Sequence, residues 1–388
     1  MNLVDNESGL LGALRSAKRV SGLTHSFYRY PARFPPEFVR EIITRFSGRG
    51  DYILDAFMGS GTSIVEAVAN GRNAIGVDIN PLAYFITKVK TTPLSRTDRD
   101  KITQWVNTID FLQPLEQTRP VDIDELRHIP EGLKRTFIGL IETTDVFEFP
   151  RQRNFARCAL LRLAQWAVDC RKEFPQSGSV KEQLIKYVRQ MLEGLDEFVS
   201  TARENGVEKN RVTGKRQLYL GSFEDIMHSR KLNEVRSRIK LVLTSPPYPG
   251  VHVLYHRWQV NSRRETPAPF YFAGFRNGRG ESHYTLGGRS RLGIENYFTR
   301  VREIFESIHP FVQPDALLVQ LVAFANPEMQ LPAFLESMRL AGYEEVQLVT
   351  APNSERPSRL VPNRKWYTNI ESSQHAGNEI LIFHTPVQ

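Results

Sequence analysis

Thr244-Ser245-Pro246-Pro247-Tyr248 places a hydroxyl, two prolines and an aromatic ring directly after the apolar run 239–243. Proline restricts φ and has no N–H, so the pair holds Ser245 and Tyr248 in set directions and leaves carbonyl oxygens free to accept hydrogen bonds. A stiff turn at the carboxyl end of a strand is where open α/β sheets carry out chemistry. A second group, Asp55-Ala56-Phe57-Met58-Gly59-Ser60-Gly61-Thr62, joins an acid to a glycine turn. Gly59 and Gly61 let the backbone approach a ligand, and a helix starting near Thr62 would attract a carboxylate or phosphate. Asp78 follows about twenty residues later, where such units bind a ribose diol.

These groups constrain the ligand. Without Gly-Lys-Ser/Thr there is no P-loop, and the turn lacks the third glycine of a pyrophosphate fingerprint. Asp55 would repel a pyrophosphate but would pair with an ammonium. A molecule with a ribose, an adenine, an amine and a carboxylate fits these demands, and S-adenosylmethionine is that molecule.

The elements that must position these groups are strands at 52–55 and 73–78 around a helix at 63–69, which opens a βαβ unit. The aromatic and proline-rich stretch 25–36 ahead of them reads as a fixed loop against a flat ligand. From 91 to 216 the strand rhythm gives way to helical spacing, with basic residues between the apolar ones. Strands return at 217–220 and before Ser245. A helix at 294–309, a strand at 316–322, a helix at 328–341 and strands at 345–349 and 379–384 follow. The expected fold is therefore α/β: a mostly parallel, Rossmann-like sheet with an antiparallel edge strand and a mostly helical insertion. The division is 1–94 for the first part of the core, 95–216 for the insertion and 217–388 for the catalytic part.

The chain of 388 residues carries 51 Lys and Arg against 43 Asp and Glu, a net charge of +8 that favours a polyanionic partner. No apolar run approaches the roughly 20 residues of a membrane span, and the amino terminus does not read as a signal peptide. A cytoplasmic location is expected. Cys158 and Cys170 are the only cysteines, and neither lies in a zinc or disulfide pattern, so no metal is expected. The segment 251–293 is rich in arginine and aromatics and suits phosphates and stacked bases. Its candidate nucleic-acid contacts are Arg257, Arg263, Arg264, Arg276, Arg279, Arg289 and Arg291.

Taken together, the 55–62 and 244–248 motifs resemble those of the amino-group DNA methyltransferases, which modify the exocyclic nitrogen of cytosine or adenine. The resemblance implies the fold of AdoMet-dependent methyltransferases, with Ser245, Pro246, Pro247 and Tyr248 as the catalytic motif. It assigns Asp55, Gly59 and Gly61 to the methionine end of S-adenosylmethionine, Asp78 to its ribose and Ile79 to its adenine face, with Phe57, Ser60 and Thr62 also binding the cofactor. His25, Phe34 and Pro35 would help enclose the methionine moiety, and Ser222 and Phe223 would contact the adenine. A serine heading the catalytic motif is closer to the cytosine-N4 enzymes than to the adenine-N6 ones. Methylation of cytosine carbon five needs a cysteine nucleophile, typically after proline, and neither cysteine follows one. The implied role is site-specific modification of double-stranded DNA in a restriction-modification or phage-defence system, beside a cognate endonuclease or other defence proteins. An RNA amino-methyltransferase and a non-catalytic DNA-binding regulator are the alternatives.

Overall fold

The computed structural model describes residues 7–16, 18, 20–30, 33–109, 123–171, 173–249, 257–261, 264–275, 286–288, 290–348, 356–360 and 378–387. Ten strands are present among them: β1 (Tyr52–Asp55), β2 (Asn73–Asp78), β3 (Arg216–Leu220), β4 (Ile239–Thr244), β5 (Trp258–Val260), β6 (Arg264–Thr266), β7 (Val312–Val322), β8 (Tyr343–Glu345), β9 (Ser358–Leu360) and β10 (Asn378–Pro386). The main sheet has the order β3-β2-β1-β4-β7-β10-β8, with β9 also paired to β10. Neighbours from β3 to β7 are parallel, and β10 runs antiparallel to β7, β8 and β9. This is a doubly wound, Rossmann-like sheet whose strand order reverses between β1 and β4.

The side chains alternate between two layers. Leu241 and Leu243 enter one core while Val242 enters the other, as the two-residue period of a strand requires. The helices Pro36–Phe46, Thr62–Ala69 and Pro81–Lys90 cover the first face, and Arg291–Ile308 and Pro327–Leu340 the second. Between β2 and β3 the chain is helical, and its longest elements, Pro150–Val168 and Ser177–Glu204, share the first core with the sheet. Ser177–Glu204 docks at Gly194, where a Cβ would collide with the Leu23 carbonyl oxygen, and one turn on Glu197 accepts the Leu23 N–H at 2.8 Å.

The late strands form the expected antiparallel edge, with β10 against β7 and the short β8 and β9 on its outer side. Two features differ from the sequence expectation. The strand expected at 345–349 begins at Tyr343 and ends at Glu345, while Val346 and Leu348 pack on the first core. Among the described residues of the arginine-rich segment, three of its aromatics are interior: Trp258, Phe270 and Phe272 are buried. Trp258 donates to the Tyr28 hydroxyl at 2.9 Å, and Arg157 holds the Phe272 and Tyr271 carbonyls at 2.9 and 2.8 Å. These rings fill the seam between the helix Pro150–Val168 and the β5–β6 hairpin, so they are not surfaces for stacked bases.

Candidate active site

The carboxyl ends of β1, β2, β3 and β4 open onto one cavity of about 510 Å³. Such a crevice forms where helices leave a sheet on opposite faces. After β1 the chain passes to Thr62–Ala69 on one face, and Arg291–Ile308, on the other face, supplies the opposite wall.

The turn after β1 is held from three sides. The Met58 N–H donates to the Val77 carbonyl at 3.0 Å, and the Gly61 N–H closes the turn onto the Met58 carbonyl at 2.7 Å. From the helix Pro81–Lys90, Thr87 donates to the Gly59 carbonyl at 3.3 Å and Lys90 to the Ser60 carbonyl at 2.8 Å. Lys90 is buried, and desolvation pushes its ammonium down to about 7.

Two acids face the cavity with hydrogen-bond donors around them and, among the described residues, no cation in an ion pair with them. Asp55 accepts from the Thr244 hydroxyl at 2.7 Å, from the Phe57 N–H at 3.1 Å and from the Ser63 hydroxyl. Asp78 accepts from the Gly59 and Asn80 N–H groups, each at 2.8 Å. Burial pushes both carboxyls up to about 6, since desolvation disfavours the charged form. Ile79 stands 42% exposed on the same wall, an apolar surface placed for a flat ring. The Ser60 hydroxyl, also lining the cavity, is buried without a partner among the described residues. Two acids and an unused hydroxyl suit a ligand carrying an ammonium and a diol, and S-adenosylmethionine has both.

At the end of β4, the Ser245 hydroxyl donates to the Leu321 carbonyl of β7 at 2.8 Å. With its proton committed, the oxygen keeps its lone pairs for a donor arriving in the cavity. Pro246, Pro247 and Tyr248 line the cavity beside it, and the Tyr248 hydroxyl donates to Glu379 at 2.5 Å.

Of the other expected cofactor residues, Phe34, Phe57, Gly59, Ser60, Thr62, Ser222 and Phe223 line the cavity, whereas Gly61, Pro35 and His25 do not. Gly61 instead shapes the turn, with φ of 72°. His25 is buried against Glu66 at 2.8 Å, and Arg40 holds the same carboxylate at 3.0 and 3.1 Å. It therefore braces the helix Thr62–Ala69 rather than touching the cavity. Ser222 caps the short helix Phe223–Ile226, its hydroxyl donating to Asp225 at 2.8 Å.

Four of the seven arginines, Arg263, Arg276, Arg279 and Arg289, lie outside the described residues. Arg257 is largely enclosed beside Glu265 at 3.7 Å, Arg291 pairs with Glu295 at 3.0 Å, and Arg264 is exposed on β6. Asn296, Thr299 and Arg300 also line the cavity, and sequence reasoning did not select them. Arg300 bonds Glu224, just past Ser222, at 2.8 and 3.3 Å. The signal available was their spacing on one face of an amphipathic helix. Cys158 is buried, with its thiol pushed up to about 12, and Cys170 is pushed up to about 11. Neither lines the cavity. Among the described residues there is no metal-binding cluster and no helix long and apolar enough to cross a membrane.

Residues 13–89, which include the glycine turn and Asp78, match the family model described as DNA methylase. The segment belongs to the N6/N4 DNA methylase family. The segment is also similar to parts of curated methyltransferases. The Type II methyltransferase M.MvaI of Kocuria varians is 32% identical over 111 residues, or 28% of this chain and 23% of that protein. The DNA adenine methyltransferase YhdJ of Escherichia coli strain K12 is 35% identical over 75 residues, 19% of this chain and 26% of that protein. The matched stretches thus span about a quarter of each relative's length. Among solved structures, the rRNA methyltransferase aviRa from Streptomyces viridochromogenes covers 82% of this chain and 83% of its own, at 12% identity and a TM-score of 0.31. A likeness that slight carries no argument, and the fold rests on the strand order given above.

If Asp55 and Asp78 hold the cofactor, its binding is proton-linked. In the empty protein their raised values favour the folded state at low pH, and that contribution is lost as the pH rises through about 6. A ligand that pairs with the ionised forms lowers both values and so releases protons. At pH 6 two half-protonated acids should release about one proton in all. Titration calorimetry of S-adenosylmethionine in two buffers of different protonation enthalpy reads this number, and Asp78→Asn should remove roughly half of it. Binding without proton release would show that neither acid meets the ligand.

Proposed function

We propose that this protein transfers a methyl group from S-adenosylmethionine to the exocyclic N4 of cytosine in double-stranded DNA, at a specific sequence, as the modification arm of a restriction-modification or phage-defence system. A cognate endonuclease or other defence protein would be its partner. The observation that carries the proposal is the Ser245 hydroxyl, committed as a donor to the Leu321 carbonyl and so an acceptor toward the cavity.

An exocyclic amine on an aromatic base is a poor nucleophile because its lone pair is conjugated with the ring. Acceptors around its two hydrogens favour a pyramidal nitrogen and hold that nitrogen in line for attack. Ser245 supplies one acceptor, and the Pro246 carbonyl, from a residue with no N–H of its own, supplies the other. Tyr248 stacks on the base after it leaves the duplex. The bound cofactor supplies an activated methyl on a sulfonium. Asp55 pairs with the ammonium at its methionine end, Asp78 with the ribose diol, and Ile79 and Phe223 flank the adenine. Displacement is direct, and the absence of either cysteine from the cavity lining agrees with that route rather than with a covalent carbon-five mechanism.

Adenine N6 is the second reading, favoured by the identity shared with a DNA adenine methyltransferase. Incubating the protein with tritiated S-adenosylmethionine and unmethylated bacteriophage DNA, followed by nucleoside mass spectrometry, separates the two. N4-methylcytosine is the expected product. N6-methyladenine would reassign the target, and no label in the DNA would overturn the proposal.

A further inference from the structure

The ring assigned to base stacking is tied to a buried ion pair on the neighbouring strands β9 and β10. Tyr248 is 8% exposed, it packs with Ala323, and its phenol donates to Glu379 Oε1 at 2.5 Å. The other oxygen, Oε2, accepts from Arg359 Nε at 2.6 Å and lies 2.5 Å from Nη2. Glu379 and Arg359 stand directly opposite each other in the β9–β10 ladder, with side chains 2% and 10% exposed. The pair is placed to act on the catalytic turn, because β10 also pairs with β7, where Leu381 faces Leu321. The Leu321 carbonyl holds Ser245. Two adjacent strands therefore fix both ends of the turn, Ser245 through a β7 carbonyl and Tyr248 through a β10 carboxylate.

Stability alone does not call for this arrangement. A buried ion pair is often no more stabilising than well-packed apolar side chains of the same volume, because both charges lose their water. A short bond to an ionised acceptor does fix direction, since charge-assisted hydrogen bonds are stronger and more orientation-dependent than neutral ones. A phenol held at its tip, with its ring against Ala323, is limited in both tilt and rotation.

We propose that Glu379, paired with Arg359, is a positioning residue that sets the plane of Tyr248 for the incoming base. The inference rests on the reading of Tyr248 as the stacking residue. Arg359 acts one step further away, by balancing the charge that Glu379 carries into the core.

The experiment measures methyl transfer to unmethylated bacteriophage DNA, together with S-adenosylmethionine affinity, for the full-length wild type and for Tyr248→Phe, Glu379→Gln and the Tyr248→Phe/Glu379→Gln double variant. Each single change should lower kcat/KM for DNA roughly 10-fold, within the range that misplacement of a reacting group produces, and leave cofactor affinity unchanged. The double variant should lose no more than either single one. Losses that multiply in the double variant would mean that Glu379 acts independently of Tyr248, and the proposal fails. Since Glu379→Gln leaves Arg359 without a counter-charge, the apolar pair Glu379→Met/Arg359→Met tests the same point in a neutral core. It should melt close to the wild type and still lose transfer, and full activity in that variant would overturn the tether. Tyr248→Ala separates the two levels of the argument: undiminished transfer there would remove the stacking assignment itself, whatever Glu379 does.

Discussion

Ser245→Ala should lower the rate of methyl transfer by roughly 10²- to 10³-fold while leaving affinity for S-adenosylmethionine within about twofold, the scale on which deleting one preorganised polar group acts in other active sites. The asymmetry follows from position. Ser245 lies at the end of β4, and its hydrogen bond runs to β7. The acids assigned to the cofactor stand at the ends of β1 and β2. Removing the hydroxyl leaves the Leu321 carbonyl without this donor and deletes an acceptor for the target amine, yet disturbs neither acid. Single-turnover transfer of tritiated methyl, read beside equilibrium cofactor binding, separates the two quantities. Equal losses in both would assign Ser245 to cofactor binding or to folding and would remove the proposed role in chemistry.

Gly61→Ala should be the most damaging single-methyl change in the glycine turn, lowering stability by about 3–5 kcal/mol, in the upper tail of point substitutions. Two separate costs combine. The residue has φ of 72°, a left-handed conformation that costs an L side chain roughly 1–2 kcal/mol. The added Cβ would also meet the Thr87 Cγ2 and Oγ1 atoms at 2.5 Å. Thr87 is buried and holds the Gly59 carbonyl, so relieving the clash means shifting the helix that also carries Lys90 under Ser60. Thermal denaturation should show the lowered melting temperature, and saturating S-adenosylmethionine should recover little of it because the binding turn is itself displaced. Thr87→Ala in the same chain should restore only part of the loss, since the Thr87 Cβ would still lie 2.9 Å away and φ would be unchanged. A destabilisation below about 1 kcal/mol, the ordinary size of a point substitution, would mean the turn has another backbone conformation.

What could be read from the sequence was local. Strand, glycine turn, helix and a second acid-terminated strand fall within thirty or so residues, and their periods fix which ends meet. Ser245 and Tyr248 were visible because prolines mark a turn wherever it occurs. Contacts between distant segments left no such mark. Arg300 and Glu224 are 76 residues apart, and Tyr248 and Glu379 are 131 apart. Each of these residues looks like an ordinary charged or aromatic residue in its own element. Trp258, Phe270 and Phe272 were misread for a different reason. A stretch poor in aliphatics resembles a surface until a partner appears, and here the helix Pro150–Val168 uses those rings as core. His25 was drawn toward the ligand by its place in the loop, although its partner is Glu66, one turn inside the neighbouring helix.

The hydrogen bond from Thr244 to Asp55 spans 189 residues of sequence at 2.7 Å. It joins the last residue of β4 to the last residue of β1, neighbouring strands that run the same way. The glycine turn after β1 and the Ser245 turn after β4 are therefore adjacent because of the sheet, not because of the route the chain takes between them. Their order along the polypeptide is a matter of wiring: a circularly permuted chain in which the Ser245 turn came first would rebuild the same pair of strand ends. What the stretch between the two turns must keep, besides β1 next to β4, is the set of groups that build the cavity: Asp78 at the end of β2, and Thr87 and Lys90 behind the glycine turn.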